Sequence, residues 1–236
     1  MKTALVLSGG GMFGAWQAGA WRALAPRFHP DLVVGASVGS LNGYAIAGGA
    51  TPEELGEFWL RPETGVLKQL PQTIGALMDR HRLQTGYAVV LTDMLRLKPR
   101  IVLGEAVTWR HLAASCAIPL VFRPRRIDAR WYCDGGLLNP LPLWAAVELG
   151  ATHIIALHAL PEIPGHWLKP FVAGFRRAAG YHPPLPGAVD LQMIATPGPL
   201  GSLREALQWK RDRIERWMEQ GFAAANNISL PKCIER

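Results

Sequence analysis

The chain has 236 residues, 49% of them hydrophobic and 18% charged, which is enough apolar material for one full core and too little charge for a disordered polymer. A formal net charge of +7 favours anionic partners, either nucleic acid or phospholipid head groups, but no dense run of Lys and Arg interleaved with aromatics supports nucleic acid. Cys116, Cys133 and Cys233 are too few and too scattered for a disulfide framework or a metal cage, so the expectation is a reduced, cytosolic protein.

The first predicted element is a buried strand over Thr3–Leu7. The apolar stretch after Lys2 ends at Ser8 and three glycines, short of the about 7–15 apolar residues of a secretory signal. A helix over Gly14–Ala25 stops at Pro26, a second strand covers Leu32–Val34, and a small-residue helix over Ser37–Ala47 closes in Gly48 and Gly49. Two strands joined by a helical crossover imply a largely parallel sheet with helices on both faces. Thr51-Pro52-Glu53-Glu54 combines an N-cap, a Pro at the first helical position and early acids, so another helix begins there.

The pattern then predicts a helix from about Pro71 to Arg82, strands over Tyr87–Thr92 and Arg100–Leu103 forming a hairpin at the sheet edge, and a short helix over Trp109–Cys116. A strand over Ala129–Cys133, a helix over Pro142–Leu149 and an apolar strand over Thr152–His158 follow. Between Leu160 and Leu200 eight prolines accumulate with Trp167, Phe171 and Phe175; residues 161–200 read either as a cover over the substrate entrance or as a strap on the core. Ser202–Ala225 reads as one terminal amphipathic helix rich in opposite charges, a solvated packing helix. The whole of residues 1–236 is expected to form one domain. No stretch approaches the roughly 20 apolar residues that span a bilayer, so membrane contact would be peripheral; the nine Trp lean slightly toward a lipid boundary, which indole suits, with core packing the commoner role for any one of them.

Three segments carry chemistry. Gly35-Ala36-Ser37-Val38-Gly39 is G-x-S-x-G between an apolar strand and a helix, where a sharp turn lifts the serine hydroxyl out of the sheet and the flanking glycines avoid a Cβ collision. Ser37 is therefore the candidate nucleophile, with the helix N-terminus beside it. Gly9-Gly10-Gly11-Met12-Phe13-Gly14 matches G-x-G-x-x-G, a dinucleotide fingerprint. That site needs an acid at the far end of the next strand, whereas Asp31 sits at its start and Ser37 occupies its end. The loop reads instead as an oxyanion hole built from the amides of Gly10, Gly11 and Val38.

A base must accompany the serine. His153, His158, His166 and His182 follow it, as a Ser-His-Asp order would require, but none lies in a glycine-rich turn, and His153 and His158 bracket an apolar strand as packing residues. Asp134 directly follows an apolar strand and meets Gly135 and Gly136, which puts a carboxylate at the C-terminal edge of a sheet. A free Asp is a weak base at neutral pH, so the site must desolvate it or hold it close to Ser37.

Together, in this order, these segments resemble the patatin-like phospholipase family. The stretches from Asp31 to Asn42, from Ala114 to Phe122, and from Asp134 through Asn139 to Pro142 are each similar to that family's pattern. The resemblance runs from Thr3 to about Leu160. It implies a three-layer α/β/α sandwich and cofactor-free hydrolysis of phospholipid or other lipid acyl esters by a Ser37–Asp134 dyad. Small-ester hydrolysis, acyl transfer to an alcohol and non-catalytic lipid binding remain the alternatives. Phe13 stands where many members carry Arg or Lys, so that positive charge is missing beside the loop.

Overall fold

The computed structural model describes residues 1–65, 69–119, 121–161, 173–174, 177 and 189–230. Five strands run parallel at the centre. They are β1 (Thr3–Leu7), β2 (Leu32–Ala36), β3 (Gly86–Asp93), β7 (His153–His158) and β8 (Asp190–Ala195), in the spatial order β3-β2-β1-β7-β8. Antiparallel strands extend the sheet beyond β3: β4 (Lys98–Leu103), β5 (Arg125–Ile127) and β6 (Arg130–Asp134). Within this centre β1, β2 and β3 are near-continuous apolar runs because both their faces are covered, whereas the edge strand β8 is half exposed.

Alternate strand residues divide between two cores. Leu5, Leu7, Val33, Val89, Leu91, Ile155 and Leu157 face α1 (Gly14–Leu24), α2 (Val38–Ala47), α3 (Pro52–Leu60), α4 (Leu70–Arg80) and α5 (Trp109–Ser115). Ala4, Val6, Val34, Ala88, Val90 and Ala156 face α6 (Leu143–Glu148), with Trp144, Ala145 and Ala146 packed on them. The architecture is a mixed α/β fold with the sheet between helical layers, as expected. The α3 start is a complete capping box, with Glu54 N donating to Thr51 Oγ1 (3.2 Å) and Thr51 N to Glu54 Oε2 (3.0 Å).

Three sequence expectations change. The hairpin of β3 and β4 is not simply an edge, because β3 also pairs with β2 and β6 and lies inside the sheet. The terminal helix is two helices, α7 (Leu203–Leu207) and α8 (Arg211–Asn226). The packing expected of it is tight: α8 meets α1 at backbone contact, since a Cβ on Gly221 would stand 1.9 Å from Trp16 O, and one on Gly19 1.8 Å from Met218 O. The cover or strap falls mostly outside the described residues, but its end is the sheet strand β8, masked in the sequence by the prolines around it.

Candidate active site

β2 and β6 share one edge of β3. Residues 88–93 of β3 pair with β4 on one side, so the other side must serve both β2, which reaches Ala36 opposite Val90, and β6, which brings Asp134 opposite Leu91. Where β2 turns away into α2, β6 takes its place from the opposite direction. This succession sets Ser37 and Asp134 side by side.

Ser37 occupies φ 53 and ψ −133, a left-handed conformation that costs a non-glycine residue about 1–3 kcal/mol and is held only by its surroundings. One of them is Ser115, at the end of α5. Ser37 N donates to Ser115 Oγ (2.8 Å), and that hydroxyl donates to Val90 O (2.8 Å). On the other side Ser40 Oγ donates to Ser37 O (2.6 Å). Gly39 lets α2 lie against β1, since a Cβ there would be 2.5 Å from Leu7 O, and Gly35 is similarly pressed on Gly39 O.

The same α5 terminus holds the aspartate. Asp134 N donates to Ala117 O (3.0 Å) and Gly135 N to Ser115 O (3.3 Å), while Thr92 Oγ1 donates to Asp134 O (2.8 Å). Gly135 is required there because a Cβ would stand 2.0 Å from Val90 O. Gly136 N donates to Asp134 Oδ1 (2.7 Å). Oδ2 is buried without a partner of full hydrogen-bond geometry, and the Ser37 hydroxyl lies near enough to favour the ionised carboxyl. Burial is the larger influence: it pushes the Asp134 carboxyl up to about 6, against the opposing bonds from Ser37 and Gly136.

The glycine loop closes the third side. A Cβ on Gly9 would fall 3.2 Å from Ser37 Cβ and 3.8 Å from its Oγ. Gly9 N donates to Pro140 O (2.8 Å), in a turn that Asn139 shapes by accepting from Leu141 N (3.2 Å). Gly10 and Gly11 open the 3-10 turn Gly11–Phe13 that leads into α1, and Val38 is the first residue of α2. Amides at such positions lack intrahelical acceptors, so all three belong to helix starts, and Gly11 and Val38 line one slot with Ser37. A buried polar chain supports the loop from behind. Trp59 Nε1 donates to Asn42 Oδ1, Asn42 Nδ2 to Gly14 O and Gln17 Oε1, and Gln17 Nε2 to Ser8 O, all within 3.0 Å.

An apolar slot of about 50 Å³ opens from Ser37, lined by Val38, Leu41, Trp59, Leu70, Phe122 and Leu207 among others. Phe58, Thr64 and Thr73 separate it from a second cavity of about 230 Å³ between α3 and α4. Sequence reading missed Ser115, Asn42 and Gln17, whose types are common everywhere. Nor did it place α7 on the glycine loop, where a Cβ on Gly11 (φ +58) would be 2.2 Å from Ala206 O.

Among the described residues no imidazole hydrogen-bonds to Ser37 or Asp134. His153 Nδ1 contacts Thr152 Oγ1 (2.9 Å) at the opposite sheet edge, His158 ends β7 with its pKa lowered by burial, and His166 and His182 lie outside the described residues. Asp31 accepts from Thr3 N and Oγ1 (2.8 and 2.9 Å), at the far end of β2 from the glycines, where it could not serve a ribose. Phe13 is 1% exposed and packs edge-on against Trp217, with ring centroids 5.0 Å apart. Its position therefore belongs to the core beneath α8.

A patatin-like phospholipase family model matches residues 5–104 and 103–147. Similar curated proteins include an uncharacterized NTE family protein of Mycobacterium tuberculosis, 28% identical over 211 residues, covering 72% of this chain and 56% of that protein. Another is patatin-like phospholipase domain-containing protein 6 of Homo sapiens, 31% identical over 181 residues, covering 65% of this chain and 13% of the relative. The chain thus spans about half the length of the mycobacterial relative and a small part of the human one. The crystal structure of VipD from Legionella pneumophila superposes with a TM-score of 0.53 at 12% identity, covering 95% of this chain and 66% of that one, a likeness of fold. The match over residues 5–147, well over half of the chain, makes this protein a member of the patatin-like phospholipase family.

Proposed function

We propose that the protein hydrolyses acyl esters of lipids through a Ser37–Asp134 dyad. Ser37 Oγ attacks the ester carbonyl carbon while Asp134 takes the hydroxyl proton. The amides of Gly10, Gly11 and Val38 receive the negative oxygen of the tetrahedral intermediate. Collapse expels the alcohol, which leaves with the proton from Asp134. Water then gives a proton to Asp134 and attacks the acyl-serine, which releases the fatty acid and restores both side chains.

The observation that carries this reading is the pairing of a strained, buried serine with a carboxyl whose pKa burial raises to about 6. Desolvation brings the base closer to the working pH than a free Asp. The apolar slot beside Ser37 supports an acyl chain as the group held. Its small size favours short acyl groups as a second reading, unless the partition to the neighbouring cavity opens.

A fluorophosphonate probe tests the nucleophile. Wild type is expected to label and Ser37→Ala to remain unlabelled while folded. Labelling of Ser37→Ala at the wild-type level would refute the assignment.

A further inference from the structure

Residues 94–132 contain eight Lys and Arg against Glu105 and Asp128, which accounts for six of the chain's seven net positive charges. The fold gathers much of this excess at the antiparallel end of the sheet. The turn after β3 folds back on β6, with Met94 N donating to Trp131 O (3.0 Å) and Leu95 N and Arg96 N donating to Asp93 Oδ1 (3.0 and 3.1 Å). Register sets Lys98 beside Asp93 and Tyr132 on one side of the sheet and Arg126 beside Trp131 on the other, so the cations rim both sides of its antiparallel end. Arg96, Lys98, Arg123, Arg126 and Arg130 are all exposed. Among the described residues, only Arg130 of these meets a carboxylate, Asp93 at 3.9 Å.

Large apolar side chains are exposed in the same segments. Leu95 is 78% exposed, Trp131 44% and Val121 41%. Large exposed apolar groups beside unpaired cations are a costly combination for a face that meets only water. The arrangement also continues into the candidate site. Val121 N and Phe122 N both donate to Ile118 O (3.1 and 2.9 Å), so one tight turn points Ile118 and Phe122 into the Ser37 slot while Val121 and Arg123 face outward.

We propose that this end of the sheet is a docking surface for an anionic phospholipid bilayer. The cations meet head-group phosphates, Leu95, Val121 and Trp131 enter the head-group and acyl boundary, and the mouth of the slot is brought to the lipid. Charge complementarity selects the occupant: arginines spread around the sheet end suit a lipid surface, and indole suits its boundary. That the docked lipid supplies the ester for Ser37 rests on the proposed hydrolase; the surface itself does not.

Partition of the full chain onto phosphatidylcholine vesicles with and without phosphatidylglycerol tests the surface, alongside turnover of a soluble short-chain nitrophenyl ester. Wild type is expected to bind the anionic vesicles preferentially and to dissociate as salt rises, because the cations are exposed. Near a charged membrane each cation contributes roughly fivefold to partition, so Arg96→Gln/Arg123→Gln/Arg126→Gln should bind about 100-fold more weakly while keeping soluble-ester turnover. Leu95→Ser/Trp131→Ala should bind more weakly at every salt concentration. Equal partition onto both vesicle types, wild-type binding by the triple variant, or tighter binding to a duplex oligonucleotide than to anionic vesicles would overturn the proposal. Anionic-vesicle binding by a wild type that turns over no soluble ester would support the surface and sink the hydrolase reading instead.

Discussion

Burial raises the Asp134 carboxyl from 3.8 to about 6, so the folded chain holds this proton more tightly than the unfolded chain does. The stabilisation this gives is fully present below about pH 4 and is lost as pH rises through 6; above that, keeping the carboxylate ionised costs about 3 kcal/mol. Asp134→Asn keeps an oxygen for Gly136 N and removes the charge. Its melting temperature is expected to exceed that of wild type at pH 8, with the difference shrinking toward pH 4, while ester hydrolysis falls by about 10³ or more. Thermal unfolding across pH reads the first effect, and a variant less stable than wild type at pH 8 would contradict it. In wild type, kcat/KM is expected to fall about tenfold per pH unit below about pH 6, as the base becomes protonated. Ser37 and Asp134 were legible in the sequence because each sits where glycines have a single mechanical use. Ser115 was not, since a lone serine before Cys116 carries no local sign that its hydroxyl will cap a strained amide.

At the scale of elements, the end of α5 fastens the elbow to the aspartate turn through Ser115 Oγ, Ser115 O and Ala117 O. Ser115→Ala leaves the buried Ser37 N–H without its acceptor, which costs about 1–3 kcal/mol. The expected result is a lower melting temperature and a kcat reduced at least tenfold with KM nearly unchanged, because the hydroxyl group shifts while the slot stays. Steady-state kinetics on a soluble ester checks this, and an unchanged kcat would mean that Ser115 only stabilises. The predicted helices and strands mostly formed where their caps and breakers placed them, as at Thr51 and Pro26. The split of the terminal helix escaped notice because Gln208 to Lys210 contain neither Gly nor Pro; Trp209 leaves the helical path there to donate its Nε1 to Trp59 O (2.9 Å).

Over the whole molecule, two cavities meet at Phe58, Thr64 and Thr73, between a helix carried by the core, α3, and one whose buried side chains are Ile74 and Leu77, α4. If an acyl chain passes this partition, Thr73→Trp should shift the preferred nitrophenyl ester toward shorter acyl groups and lower kcat/KM for long ones at least tenfold, with butyrate turnover unchanged. A chain-length profile measures this, and identical profiles would confine the acyl group to the inner slot. The charge of +7 was visible from composition, but its concentration beside the slot depended on how β4, β5 and β6 fold together.

The sequence by itself determined the parallel α/β core, the strand-to-helix elbow at Ser37, the glycine loop and the aspartate turn, because local backbone sterics and hydrophobic period specify each of them. Only the tertiary structure decided that β6 continues the edge β2 leaves, that α7 rests on the glycine loop, and that α1 and α8 touch through Gly19 and Gly221. Those outcomes depend on contacts between residues about a hundred or more positions apart, where closeness is set by packing of the whole core rather than by any local preference.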